Sequence, residues 1–203
     1  MDLNLTGKSA IVTGNSEGIG RSITQFLQEE GVFVFPVSRS IGIDLMTTKG
    51  IDKIYPYLER CEILVHNVGG LGSDKSLWKE CIHKNYEIMV ELTKTFLSFG
   101  KVWGRVIAIS SIYGKEKGLN PGFAAAKAAQ IAYMKSLSGT VQGTTFNVVC
   151  PGYIEVGKFI PTEVRYIGRP QDVGNIVTFL CSYRANFIDG AIITCDGGLS
   201  HAF

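Results

Sequence analysis

Three glycines, Gly14, Gly18 and Gly20, follow an apolar run at residues 10–13 and overlap residues on helical spacing, Ile19, Ile23, Phe26 and Leu27. The pattern predicts strand, tight turn and helix. Glycine lets a turn take positive φ or approach a ligand closely, and the free N–H groups of the following helix point into that turn. An anion, most plausibly a phosphate, suits such a place. The Gly-x-x-x-Gly-x-Gly spacing is also compatible with a turn that only joins strand to helix, so the remaining residues have to decide. The histidines, His66, His83 and His201, lack any zinc-ligand spacing. The five cysteines, Cys61, Cys81, Cys150, Cys181 and Cys195, form no Cys-x-x-Cys and read as buried thiols of a cytoplasmic protein.

These residues sit in a chain of 203 amino acids, 45% hydrophobic and 19% charged, which suits one globular domain. A net charge of +2 without a basic run gives no case for nucleic acid or a membrane surface, and no apolar run reaches spanning length. Gly31 is placed to close the first helix. Residues 32–37 (VFVFPV) then form a nearly continuous apolar run, expected of a strand covered on both faces, with Pro36 confined to an edge or an end. Only Ser38, Arg39 and Ser40 separate this run from the next possible strand at 41–45. A parallel crossover needs about a dozen residues or more, so the two cannot be consecutive parallel strands, and a crossover helix is missing.

Helices are expected at 47–60, 75–99, 123–137 and 170–181, and strands at 62–66, 105–109, 146–150 and 191–194. In the second of these helices Trp78, Cys81, Ile82, Met89, Leu92 and Phe96 fall near one face. The alternation indicates an α/β doubly wound parallel sheet in a single domain.

Residues 13–20, Asn67-Val68-Gly69, Asn85, Ser110-Ser111, a helix carrying Lys127, Pro151-Gly152, Gly168-Arg169-Pro170 and Asp196-Gly197-Gly198 fall in an order that resembles the short-chain dehydrogenase/reductase family. The resemblance covers residues from about 5 to 198. It implies a Rossmann-type domain that binds NAD(H) or NADP(H) and moves hydride to or from a small-molecule carbonyl or alcohol. It also implies that Gly14, Asn15, Ser16, Gly18, Ile19 and Gly20 cradle the pyrophosphate, and that Asn67, Val68 and Gly69 close over the adenosine half. Pro151, Gly152 and Ile154 would border the cofactor. Ser111 would hydrogen-bond the substrate oxygen, Lys127 the nicotinamide ribose, and Asn85 would hold a water linking Lys127 to solvent.

The family places a catalytic tyrosine four residues before the lysine, and here that residue is Phe123. Residues at i and i+4 are helix neighbours, and an ammonium beside a phenol lowers its pKa, so the spacing is physically sensible. Phenylalanine keeps the ring and loses the proton, forfeiting general catalysis typically worth about two to four orders of magnitude. Four accounts stand open: another tyrosine, Tyr113 or Tyr153, supplies the proton; the chain binds cofactor without redox chemistry; it runs an elimination or epimerisation; or Phe123 is an introduced substitution.

Ser38 and Arg39 occupy the end of the second strand, where an acidic residue would favour NAD; a guanidinium grips a phosphate, which favours NADP(H) over NAD(H). Glu17 opposes this if it faces the ribose. The short gap at residues 38–40 predicts that the family's third strand is absent or does not pair in parallel and that residues 32–37 form the edge. The resemblance places Asp44 beside adenine as a cofactor-binding residue, a reach that the short gap puts in question. The segment between Pro151 and Gly168 is short for a substrate lid. The resemblance implies a homo-oligomer, dimer or tetramer, through the helices at 75–99 and 123–137. Ile112, Tyr113, Gly114, Tyr153 and Ile154 would line the pocket.

Overall fold

The computed structural model describes residues 2–71, 78–118, 120–155 and 167–202. Six strands form one parallel sheet in the order β2-β1-β3-β4-β5-β6: β1 (Ser9–Val12), β2 (Phe33–Phe35), β3 (Ile63–His66), β4 (Gly104–Ile109), β5 (Thr144–Pro151) and β6 (Ile192–Cys195). Helices α1 (Gly18–Glu29), α2 (Thr48–Arg60), α3 (Trp78–Ile82), α4 (Ile88–Ser98), α5 (Pro121–Leu137) and α6 (Pro170–Cys181) connect them.

Strand alternation decides which residues meet which layer. Ala10, Val12, Ile63, Val65, Ile107 and Ile109 face Ile23 and Leu27 of α1 and Val173, Val177 and Leu180 of α6. Their neighbours Ile11, Leu64, Val106 and Ala108 face Ile51, Ile54 and Leu58 of α2, Leu92 and Phe96 of α4, and Met134 of α5. With both faces covered, the central strands are buried along their whole length, which is why they read as continuous apolar runs.

The edge behaves as the short gap predicts. β2 pairs only with β1, and no strand lies outside it among the described residues. The strand covers three residues rather than six, because Pro36 comes directly after it and cannot donate to a ladder. Residues 41–45 are not a strand. The chain makes a 3-10 turn at Arg39–Ile41, Gly42 takes a φ of 77°, and the Ile43 N–H donates back to the Ser38 carbonyl. Ile43 and Leu45 are buried against the α2 and α4 layer as loop residues.

Local chemistry sets the helix starts. Thr47 Oγ1 accepts from Gly50 N ahead of α2, and Asn120 Oδ1 accepts from Phe123 N ahead of α5, which opens with Pro121. The long helix expected at 75–99 is described from Trp78 to Ser98; its first three expected residues lie outside the described residues. It is interrupted by a π-helical stretch, His83–Glu87. That insertion rotates α3 relative to α4 about the common axis. Cys81, Met89, Leu92 and Phe96 are buried as expected, whereas Trp78 is 59% exposed.

Candidate functional site

Strand order reverses between β1 and β3, and in an open α/β sheet the crevice outside the carboxyl ends of the strands at that switch is where ligands bind. The Gly14 turn leaves β1 there, and Asn67-Val68-Gly69 leaves β3 beside it. Gly14 and Gly18 have φ of 67° and 54°. A Cβ on Gly20 would collide with the Gly14 carbonyl oxygen, so the first turn of α1 packs on the glycine turn as only glycine allows. Glu17 precedes α1 without a side-chain cap, so its carboxylate does not occupy the helix N-terminus.

The turn is held from β3. Thr13 Oγ1 donates to the Val65 carbonyl and accepts from the N–H groups of Asn67 at 2.9 Å and Val68 at 3.0 Å. Asn67 Nδ2 donates to the carbonyls of Thr13 and Gly14, at 3.0 and 3.1 Å. Asn15 is half-buried and Ser16 exposed at the rim, with Ile19 half-buried behind them.

Next along the sheet, Gly69 packs where a Cβ would come within 2.6 Å of Asn85 Oδ1 and 3.2 Å of Lys127 Nζ. Asn85 is buried in the π-helical stretch. Its Oδ1 accepts from Gly70 N at 2.9 Å, and its Nδ2 donates to the carbonyls of Gly70 and Cys81. The Asn85 carbonyl itself accepts from Gln130 Nε2 of α5. Lys127 is 4% exposed, and its Nζ donates to the Ile109 carbonyl at 2.8 Å. Burial pushes its pKa down to about 7. The Phe123 ring lies one helical turn earlier, its centroid 5.5 Å from Nζ. Ser110 Oγ donates to the Lys127 carbonyl, which ties β4 to α5.

After β4, Ser111 Oγ accepts from Tyr113 N, a bond that does not use the serine's own proton. The Tyr113 hydroxyl meets the Tyr153 hydroxyl at 2.6 Å. Tyr153 comes after Pro151 and Gly152 at the end of β5, and Ile154 bridges to Gly168. The structure therefore gathers the residues at 14–20, 67–69, 85, 111–113, 123–127 and 151–154 along the carboxyl ends of four adjacent strands.

Ser38 and Arg39 lie past the end of β2, with Arg39 exposed and Ser38 Oγ 2.7 Å from Ser40 Oγ. Asp44 belongs to the start of α2 instead: its Oδ1 accepts from Met46 N and its carbonyl accepts from Thr47. Most of the segment expected as a lid, residues 156–166, lies outside the described residues. The roles of three residues escape a reading of the sequence. Thr13 is the hinge of the glycine turn, and Gln130 is a buried amide on an otherwise small and apolar face. His66, at the end of β3, is buried with Nε2 2.8 Å from Thr93 Oγ1, and burial pushes its pKa down to about 3. Gln130, interrupting an alanine-rich run, is the one that pattern reading could have flagged.

Residues 43–200 match the family described as "Enoyl-(Acyl carrier protein) reductase". The chain belongs to the short-chain dehydrogenase/reductase family. Among the relatives of this short-chain dehydrogenase/reductase, the 3-oxoacyl-[acyl-carrier-protein] reductase FabG of Escherichia coli is 31% identical, covering 97% of this chain and 99% of the relative. The acetoacetyl-CoA reductase of Shinella zoogloeoides is also 31% identical, over 93% and 97%. The first of these alignments runs over 242 positions, more than the 203 residues present here, so the relative holds residues that this family member lacks. Among solved structures, a gluconate 5-dehydrogenase from Beutenbergia cavernae, titled as putative and with bound NADP, superposes with a TM-score of 0.86 at 23% identity over 98% of each chain. A 7α-hydroxysteroid dehydrogenase complexed with NADH gives 0.80 at 23% identity over 97% and 96%. At that identity these two establish the fold.

Among the described residues no helix is long and apolar enough to cross a membrane, and no group of three His, Cys, Asp or Glu side chains could hold a metal ion.

Proposed function

We propose that this oxidoreductase binds NADP(H) in the β1/β3 crevice and reduces a small-molecule carbonyl, or oxidises the corresponding alcohol. The observation that carries the reading is the joined geometry of the glycine turn, Asn67 and the Gly69–Asn85–Lys127 contact. It provides an anion seat and a desolvated ammonium on neighbouring strand ends. Gly14, Asn15, Ser16, Gly18, Ile19 and Gly20 would hold the pyrophosphate, with Asn67, Val68 and Gly69 beside the adenosine half and Pro151, Gly152 and Ile154 at the nicotinamide end. When bound, the nicotinamide supplies or accepts the hydride.

Lys127 would bind the nicotinamide ribose. Its pKa of about 7 means that the ammonium and the amine coexist near neutrality, so the residue donates or accepts hydrogen bonds at low cost. Ser111 would fix the substrate oxygen with the proton that its bond to Tyr113 N leaves unused. Arg39 and Ser38, past the end of β2, would take the 2′-phosphate, supporting NADP(H) over NAD(H).

Titration with NADPH and with NADH, followed by turnover on a carbonyl panel that begins with 3-oxoacyl thioesters, tests the reading. Tighter NADPH binding and oxidation of NADPH by at least one carbonyl are expected. Failure of both cofactors to bind refutes it, and binding without turnover by this chain or by its Phe123→Tyr variant favours a non-catalytic role.

A further inference from the structure

Phe123 can neither donate nor accept a proton, yet a carbonyl reduced by hydride must gain one. In α5 the titratable group beside Phe123 is Lys127, whose Nζ is held by Ile109 and is assigned to the ribose. Besides the Ser111 hydroxyl, which would fix the substrate oxygen and is a far weaker acid, two phenols among the described residues carry transferable protons on the strand ends that would face substrate. They come from different elements. Tyr113 lies in the 3-10 turn Ile112–Gly114 two residues after Ser111, and Tyr153 lies just past β5.

We propose that Tyr113 and Tyr153 form a two-phenol relay that replaces the missing acid, with Tyr113 protonating the substrate oxygen and Tyr153 reprotonating Tyr113. This rests on the proposed reductase function. The hydroxyls are 2.6 Å apart, within direct proton-transfer distance, and the rings cross edge to face with centroids 6.4 Å apart. Tyr113 is held from two sides: its N–H is fixed by Ser111 Oγ, and its Cβ and ring root lie against Gly118, which itself packs on Ala124 of α5. A Cβ on Gly118 would fall 3.1 Å from Tyr113 Cβ, so the glycine lets the backbone pack tightly against the root of this side chain. Tyr153 is anchored through its carbonyl, which accepts from Gly168 N.

Burial and the bond to Tyr153 push the Tyr113 phenol up to about 12, with Glu116 and Tyr153 the charged and titratable groups facing it. The rise means that in the free chain the Tyr113 O–H donates to Tyr153. With substrate bound, that O–H turns to the substrate oxygen and the Tyr153 O–H donates to Tyr113 in its place; although a weak acid, the phenol still protonates the more basic alkoxide that hydride addition leaves. In the forward step the Tyr113 O–H bond breaks as the substrate O–H bond forms, the hydride having added to carbon. The resulting Tyr113 oxyanion takes the proton of Tyr153, and Tyr153 takes one from water. One proton and one hydride are consumed for each carbonyl reduced.

The free chain and its enzymatic turnover test the relay separately. In NMR of ring-labelled tyrosine, Tyr113→Phe should remove a resonance that titrates well above pH 10, and Tyr153→Phe should move that same resonance to lower pH. A Tyr113 resonance indifferent to Tyr153→Phe overturns the pairing. In turnover, Tyr113→Phe should lower kcat by at least about 100-fold with NADPH affinity unchanged. Tyr153→Phe should lower it less and alter the pH profile, while Phe123→Tyr in the Tyr113→Phe background should restore activity. Unchanged kcat in both single variants overturns the relay and leaves the reductase function standing. Failure of the unmodified chain to oxidise NADPH in the presence of any carbonyl removes both.

Discussion

Replacing Lys127 by methionine should stabilise the protein while abolishing its activity. The ammonium is 4% exposed, its hydrogen bond is a single 2.8 Å contact to a carbonyl, and its surroundings lower its pKa by desolvation, so folding pays a penalty that methionine avoids. Because the folded pKa, about 7, lies below the unfolded reference of 10.5, the unfolded chain binds more protons between those values. Stability is therefore highest above the unfolded pKa and falls as pH drops from 10.5 through about 7. Integrating the linkage gives a penalty of about 4 kcal/mol at pH 7 and about 1.4 kcal/mol at pH 9.5. Against this, methionine leaves the Ile109 carbonyl unpaired, at a cost of about 1–3 kcal/mol. The expected net gain at pH 7 is thus about 1–3 kcal/mol, and by pH 9.5 the difference should shift by about 3 kcal/mol in favour of the parent, so that the gain vanishes or reverses. Urea unfolding of both proteins at the two pH values measures it. Buried thiols such as Cys61 and Cys181 titrate in both proteins and cancel in the difference. A variant less stable at pH 7, or a difference that does not move with pH, would refute the reasoning.

Three other outcomes rest on the same geometry. Gly20→Ala drives a Cβ into the Gly14 carbonyl and to 2.5 Å from Asn67 Nδ2, so the turn must open; a loss of about 2 kcal/mol or more and of NADPH binding is expected, read by thermal melting and by titration. His66 has a folded pKa depressed to about 3, so its contribution is complete above pH 6.5 and is lost as pH falls toward 3. Between pH 6.5 and 5 the loss should be about 2 kcal/mol, and His66→Asn should flatten that part of the stability profile. Arg39→Ala should weaken NADPH binding about tenfold or more and leave NADH binding within about twofold, as isothermal titration would show.

Much of the fold was legible because it depends on near-neighbour pattern and chain length. The apolar run and glycines from Ser9 to Gly20 specify strand, turn and helix wherever they lie, and three residues between two apolar runs cannot hold a crossover helix. That count, set against the third strand that the resemblance implies, predicts an edge at β2, as the sheet has it. The site was legible through residue type: Phe123 has no proton in any fold. The rest depends on contacts between segments far apart in sequence. Residues 41–45 alternate as a strand would, but without a neighbour to ladder with they bury Ile43 and Leu45 as a loop. The π-helical stretch at His83–Glu87 turned Trp78 outward and its Asn85 carbonyl toward Gln130, neither of which a 3.6-residue period anticipates.

By itself, then, the sequence determined the doubly wound class, the missing crossover, the glycine turn between strand and helix and the absence of the phenol at position 123, because each rests on periodicity, count or chemical identity. Tertiary structure alone decided that Lys127 is stripped of water and that Tyr113 and Tyr153, forty residues apart, share a hydrogen bond. Solvation and hydroxyl distance are properties of the packed neighbours, and no local pattern carries them.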